Sequence, residues 1–121
     1  MSESVLWVCV SCREKGGPAD LEQRPGFRLH QRLTPHLDRL AEAGVRLEGH
    51  RCLSACDRPC AVGFSGSGRW SYVFGRLDET EAVEALLACA RLYASSRDGF
   101  LERSVRPEAL QATIVSRLPP V

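Results

Sequence analysis

Apolar residues recur along the first half of the chain in short segments whose spacing predicts alternating strands and a helix. Residues 5–10 are rich in β-branched and aromatic side chains, as is typical of a buried strand. Residues 27–43 carry leucines four, four and three positions apart, along one face of a helix that Thr34-Pro35 interrupts. Residues 45–49 alternate apolar and polar side chains, which predicts a half-buried strand.

The second half of the chain predicts a hairpin followed by helices. Residues 61–64 and 70–74 have the composition of strands, and the intervening Ser-Gly-Ser-Gly tract favours a hairpin loop. Asp78 begins a variant capping box that opens an apolar helix ending near Ser95. Pro107 is expected to begin a short last helix with Leu110, Ile114 and Leu118 on one face.

These elements predict an α/β fold in the order β-α-β-β-β-α, built on a mixed four-stranded sheet with helices packed on it. The first crossover implies a parallel strand pair, and the hairpin adds antiparallel strands. We expect residues 1–95 to form the main domain. We expect residues 96–121 to add a C-terminal loop and a short helix packed on the same domain.

Size, composition and charge narrow the class of protein. A chain of 121 residues with 44% hydrophobic and 26% charged content has the composition of one globular domain. A net charge of +1 provides no strong basic field for nucleic acid. The longest apolar run, residues 5–10, is far too short to cross a membrane, and no export signal is evident. We therefore predict a cytoplasmic protein that binds neither nucleic acid nor membrane.

The six cysteines carry most of the chemical information. Cys9 and Cys12 form a C-x2-C pair, whereas Cys52, Cys56 and Cys60 form a C-x3-C-x3-C group after residues 13–51. Persistent disulfides are rare in a reducing compartment, and two thiolate clusters are typical of a four-cysteine metal or iron–sulfur site. Both groups follow predicted parallel strands, so we expect them at the same edge of the sheet. The sixth cysteine, in the last long helix, is expected to pack in the core.

Three stretches resemble known families. Residues 52–62 look like the C-L-G-x-C-x-x-x-P-x-V stretch of thioredoxin-like 2Fe-2S ferredoxins and of the related small subunit of respiratory complex I. Together with residues 8–13 and 74–77, they resemble more closely a bacterial family of predicted metal-binding proteins, and this resemblance covers nearly the whole chain. Members of that family tend to be encoded near cobalamin-biosynthesis and cobalt-handling functions.

The resemblance implies a thioredoxin-like fold and a 2Fe-2S electron carrier without enzymatic activity of its own. It also implies a transient redox partner protein and is compatible with a homodimer. Cys52 and Cys56 match the second ligand pair of the ferredoxins, and Cys9 matches their first ligand. Cys12 departs from the pattern, because those ferredoxins place the partner further along the loop. Cys60 stands where they have a proline. Our hypothesis takes Cys9, Cys12, Cys52 and Cys56 as ligands, with Cys60 as the substitute.

Two alternative functions use the same cysteines. A protein that binds zinc or another metal, associated with cobalamin or cobalt metabolism, could use the four thiolates, although zinc ribbons space their pairs more closely. A thiol oxidoreductase could use Cys9 and Cys12. A reactive dithiol gains acidity from a helix N-terminus directly behind it, whereas here residues 13–26 read as a loop that separates the pair from the first helix.

Overall fold

The structure is a computed structural model that describes residues 4–10, 20, 23–50 and 60–120. These residues include five strands, three α-helices and three complete 3-10 turns. The strands and α-helices are, in chain order, β1 (Ser4–Cys9), α1 (Pro25–Leu33), α2 (Leu37–Glu42), β2 (Val45–His50), β3 (Val62–Gly66), β4 (Ser71–Phe74), α3 (Ala82–Ser95) and β5 (Ile114–Leu118). The 3-10 turns are Thr34–His36, Arg103–Val105 and Glu108–Leu110.

The strands form one mixed sheet in the order β2-β1-β3-β4-β5. β1 and β2 are parallel, which confirms the pair predicted from the crossover. β3 is antiparallel to β1 and to β4, which confirms the predicted hairpin. The predicted count of four strands is wrong, because β5 adds a fifth strand antiparallel to β4.

The extra strand replaces the predicted last helix. Leu110 lies in a 3-10 turn, and Ile114 begins β5. A spacing of four residues suits one face of a helix, but it also suits one face of a strand, whose side chains alternate with a period of two. The β-branched run Thr113-Ile114-Val115 favours the strand, and β4 offers it an open edge to pair with.

The core lies between the sheet and its helices. α3 contacts both α1 and α2. α1 packs against β1, and α2 packs against β2. Phe64, Tyr72, Phe74 and Tyr93 bring their rings together in this layer, with Phe64 and Tyr93 5.3 Å apart between centroids. Aromatic pairs of this kind add to the stability given by burial of apolar area.

The predicted helix over residues 27–43 is two helices joined by a 3-10 turn. It begins two residues earlier than predicted, because Pro25 occupies the first helical turn, where a missing N–H costs nothing. Thr34-Pro35 ends α1, and α2 follows after His36. Gly44 ends α2 with a φ of 80°, as the sequence predicts for a C-terminal cap.

The predicted cap at Asp78 lies one turn too early: Asp78 accepts hydrogen bonds in the turn that leads into α3, whereas the N-cap of α3 is Glu81, which makes no side-chain cap hydrogen bond. The Oδ1 of Asp78 accepts hydrogen bonds from the N–H groups of Thr80 at 2.8 Å and Glu81 at 2.9 Å. Its backbone carbonyl accepts the N–H of Ala82 at 2.9 Å. The two backbone donors hold the pKa of the Asp78 carboxyl below its ordinary value.

We expect Asp78→Ala to lower the melting temperature, because it leaves the N–H groups of Thr80 and Glu81, in the turn that leads into α3, without their side-chain acceptor. A lowered pKa means that the stabilisation is complete above the unfolded pKa of about 3.9 and is lost as pH falls through the folded value. The difference in melting temperature between the parent and Asp78→Ala is therefore larger at neutral pH than in acid. Circular dichroism melts at both pH values check this, with Asp78→Asn as the control that keeps an oxygen acceptor. An equal difference at both pH values would contradict the role of the charge.

The far end of α3 is fixed to the hairpin between β3 and β4. The guanidinium of Arg69 donates to the carbonyls of Tyr93 and Ser96 and lies over the ring of Tyr93, 4.8 Å from its centroid. The hydroxyl of Tyr93 donates to the carbonyl of Trp70. Because the hairpin turn lies at the end of β3 away from Ala61, α3 runs from the Cys9 end of the sheet to the opposite end.

Candidate metal centre

Three chain segments meet at one end of the sheet. Cys9, the last residue of β1, is in register with His50, the last residue of β2. The N–H of Cys9 donates to the carbonyl of Ala61 at 3.0 Å, just before β3 begins. We call this end, formed by Cys9, His50, Cys60 and Ala61, the cysteine edge.

The structure describes one of the four predicted ligands. Cys9 is almost completely buried at the cysteine edge. Cys12, Cys52 and Cys56 lie outside the described residues. Within the part of the chain that the structure describes, no group of three or more His, Cys, Asp or Glu side chains is placed to hold a metal ion.

Cys60 precedes Ala61, the hydrogen-bond partner of Cys9, but its side chain lies on the other face of the sheet. Its N–H donates to the carbonyl of Leu77 at 3.3 Å and its carbonyl accepts the N–H of Leu77 at 3.2 Å. Its side chain belongs to the core cluster on the helix-covered face. Strand alternation instead places Cys9 on the face of Val5 and Trp7, which are outside that cluster.

The surroundings of Cys60 favour the neutral thiol. Burial, followed by the charges of Glu79 and Asp78, raises the pKa of Cys60 to about 12, and Cys9 adds to this while Arg28 opposes it. Burial likewise raises the pKa of Cys89 to about 12, opposed by Arg106. Cys89 is completely buried on α3, which confirms the predicted packing role.

We expect Cys60 and Cys89 to resist iodoacetamide at pH 8 in the folded protein, because alkylation needs an accessible thiolate. Both are expected to react quickly once the chain is unfolded in guanidinium. Peptide mass spectrometry after a timed exposure measures each site separately. Rapid alkylation of Cys60 under native conditions would show that its thiol leaves the core.

Two histidines approach the cysteine edge from opposite faces. His50 packs edge-on against Trp7, with ring centroids 6.3 Å apart, and the indole N–H of Trp7 donates to Ser65 Oγ at 2.8 Å. On the helix-covered face, the ring of His30 lies over Gly49. A Cβ at Gly49 would come within 3.2 Å of the His30 Nε2 and Cδ2 atoms, so glycine permits this close approach. No local pattern around His30 predicts this position, because it depends on how α1 packs over β2.

Charged side chains of α1 reach the start of the α3 segment beside this edge. Arg28 Nη2 lies 2.9 Å from Glu79 Oε1, and Arg32 Nε lies 3.7 Å from Glu79 Oε2. Glu79 lies two residues after Leu77, which is hydrogen-bonded to the backbone of Cys60, so the Arg28–Glu79 pair is close to the cysteine edge. This pair could not be predicted from the sequence, because no local pattern joins residues so far apart along the chain.

The fold is that of the thioredoxin-like ferredoxins. A solved thioredoxin-like [2Fe-2S] ferredoxin from Aquifex aeolicus superposes with a TM-score of 0.60 at 17% identity, over 98% of this chain and 94% of that chain. The wild-type thioredoxin-like [2Fe-2S] ferredoxin from Aquifex aeolicus gives 0.50 at 19% identity, over 69% of this chain and 82% of that chain. The likeness establishes the fold class that the sequence resemblance implied.

Residues 6–120 match the family described as "Protein of unknown function (DUF1636)", and the chain belongs to that family. No curated protein sequence matches the chain significantly. Among the described residues, no helix is both long and apolar enough to cross a membrane.

Proposed function

We propose that this protein is a small electron carrier that binds a 2Fe-2S cluster through Cys9, Cys12, Cys52 and Cys56. The observation that supports this most directly is the register of Cys9 with His50 at neighbouring strand ends. In the sequence, Cys12 follows Cys9 by three residues and Cys52 follows His50 by two. Two or three residues of chain span at most about 7–11 Å, so connectivity ties both cysteine groups to adjacent strand ends.

The donor set fits an iron–sulfur cluster. Thiolates are soft ligands that suit iron–sulfur clusters, zinc and Cu(I), and clusters of this type are held by four cysteines. When bound, the cluster supplies one-electron exchange. The chain's own contribution is to position the sulfurs at a rigid sheet end and to exclude water around Cys9.

Cys12 is a better fourth ligand than Cys60. Strand alternation places Cys9 and Cys60 on opposite faces of the sheet, and Cys60 packs in the core. Recruiting Cys60 would require it to leave the core and to ionise against the nearby carboxylates Glu79 and Asp78. Cys12 needs no such rearrangement of the described core.

Anaerobic purification followed by iron and sulfide analysis tests the proposal. We expect a brown protein with two irons and two sulfides per chain, whose visible absorption bleaches on dithionite addition. A colourless chain with one tightly held zinc would instead support the metal-binding function. Disulfide reductase activity in a metal-free chain, lost on Cys12→Ala, would support the thiol oxidoreductase.

A further inference from the structure

The exposed face of α1 is basic and lies beside the cysteine edge. Arg24, Arg28 and Arg32 follow one another at intervals of four residues, which places them on one side of the helix. Residues 25–33 contain no aspartate or glutamate. We call Arg24, Arg28, Gln31 and Arg32 the basic face.

The carboxylate of Glu79 forms ion pairs with two of these arginines. Glu79 pairs with Arg28 at 2.9 Å and with Arg32 at 3.7 Å, and its Oε2 accepts no hydrogen bond from any described residue. The side chains of Arg28 and Arg32 are 46% and 49% exposed, whereas that of Glu79 is only 20% exposed. A guanidinium has five N–H donors, and each arginine approaches Glu79 through one nitrogen, so further donors remain for a second carboxylate.

The two guanidinium groups line an open groove. Arg28, Gln31 and Arg32 enclose about 260 Å³ on the surface of α1. Arginine binds carboxylates through two parallel hydrogen bonds, and glutamine adds an amide donor. A carboxylate can therefore bind in this groove while Glu79 holds the inner side of the arginines. Glu79, the ion-pair partner of Arg28, lies two residues after Leu77, whose backbone is hydrogen-bonded to Cys60. A group bound beside Arg28 is therefore close to the cysteine edge.

We propose that the basic face is the docking surface for a redox partner protein that presents a carboxylate-rich patch. This inference rests on the proposed function. The net charge of +1 leaves no global repulsion of such a partner. Opposite charges around a transfer site steer the encounter and orient the partners, and the effect weakens as salt rises. A bound cluster would supply one electron to the partner's oxidised centre, and no bond would form or break.

The test compares small oxidants of opposite charge. The cluster-loaded protein is reduced and then oxidised by ferricyanide, an anion that becomes ferrocyanide, or by tris(phenanthroline)cobalt(III), a cation. At an ionic strength of about 0.1 M, where the Debye length is about 10 Å, we expect Arg28→Glu/Arg32→Glu to slow the ferricyanide reaction about tenfold and to accelerate the cobalt reaction. Arg28→Gln/Arg32→Gln, which removes charge without adding it, is expected to lie in between. Oligoglutamate, which mimics a carboxylate-rich surface, is expected to slow the ferricyanide reaction of the parent protein only.

The control variant reverses the charge of two arginines that lie far from the basic face. Arg91 and Arg97 are exposed near the far end of α3, a helix of 14 residues that spans about 20 Å. Arg91→Glu/Arg97→Glu is expected to leave both rates within about twofold of the parent, because screening weakens distant charges. Equal rates in the two charge-reversal variants, or no competition by oligoglutamate, would overturn the docking surface while the iron content still supports an electron carrier. A chain without iron would overturn both proposals.

Discussion

Cys9→Ala is expected to abolish cluster binding, with iron and sulfide per chain falling by about tenfold or more. Loss of even an outer partner of a metal ligand costs about 10–100-fold in affinity, and loss of a ligand costs at least as much. Alanine is preferred to serine because a serine oxygen could itself bind iron. The measurement is iron and sulfide content after anaerobic reconstitution, with visible absorption as a second readout.

Cys89→Ala is the matched control for this loss. Cys89 is as completely buried as Cys9, but it lies on α3 in the core. Removing its sulfur disturbs packing without removing a proposed ligand, so iron content is expected to stay at the parent level. Equal iron in the Cys9 and Cys89 variants would contradict the ligand set.

The remaining cysteines separate the two candidates for the fourth ligand. Cys12→Ala is expected to lose the cluster, and Cys60→Ala is expected to keep it. The opposite pattern would show that Cys60 is the ligand and that the core around Leu77 rearranges when the cluster binds. Melting curves of the metal-free variants distinguish loss of ligand from loss of fold.

The sequence predicted the elements that meet at the cysteine edge because their signals are local. The apolar run around Cys9 and the alternation before His50 identify two strands, and the helix between them makes the pair parallel. Parallel strands end on the same side, so the approximate position of Cys9 beside the end of β2 followed from the order of elements alone.

The face on which each cysteine lies could not be predicted in the same way. The position of Cys60 depends on its pairing with Leu77, beyond the hairpin, and on helices that cover one side of the sheet. Neither the pairing with Leu77 nor the position of the helices can be predicted from the C-x3-C-x3-C spacing. The contact between Arg28 and Glu79 is equally invisible in the sequence, because it depends on how α1 lies against the start of α3.

The C-terminal segment shows how one spacing can fit two structures. Leu110, Ile114 and Leu118 would share a buried face in the predicted helix. In the structure, Leu110 is completely buried, Ile114 is half-buried and Leu118 is 64% exposed. Substitutions at these three positions are therefore expected to lower the free energy of unfolding by different amounts.

Leu110→Ala is expected to destabilise the protein by about 2–5 kcal/mol, since it removes a buried side chain and leaves a cavity beside α3. Leu118→Ala removes the same atoms from an exposed position on β5 and is expected to change stability by less than about 0.5 kcal/mol. Urea unfolding followed by circular dichroism gives both free energies. A helix with both leucines on its buried face predicts comparable losses, so two similar values would support the helix and contradict β5.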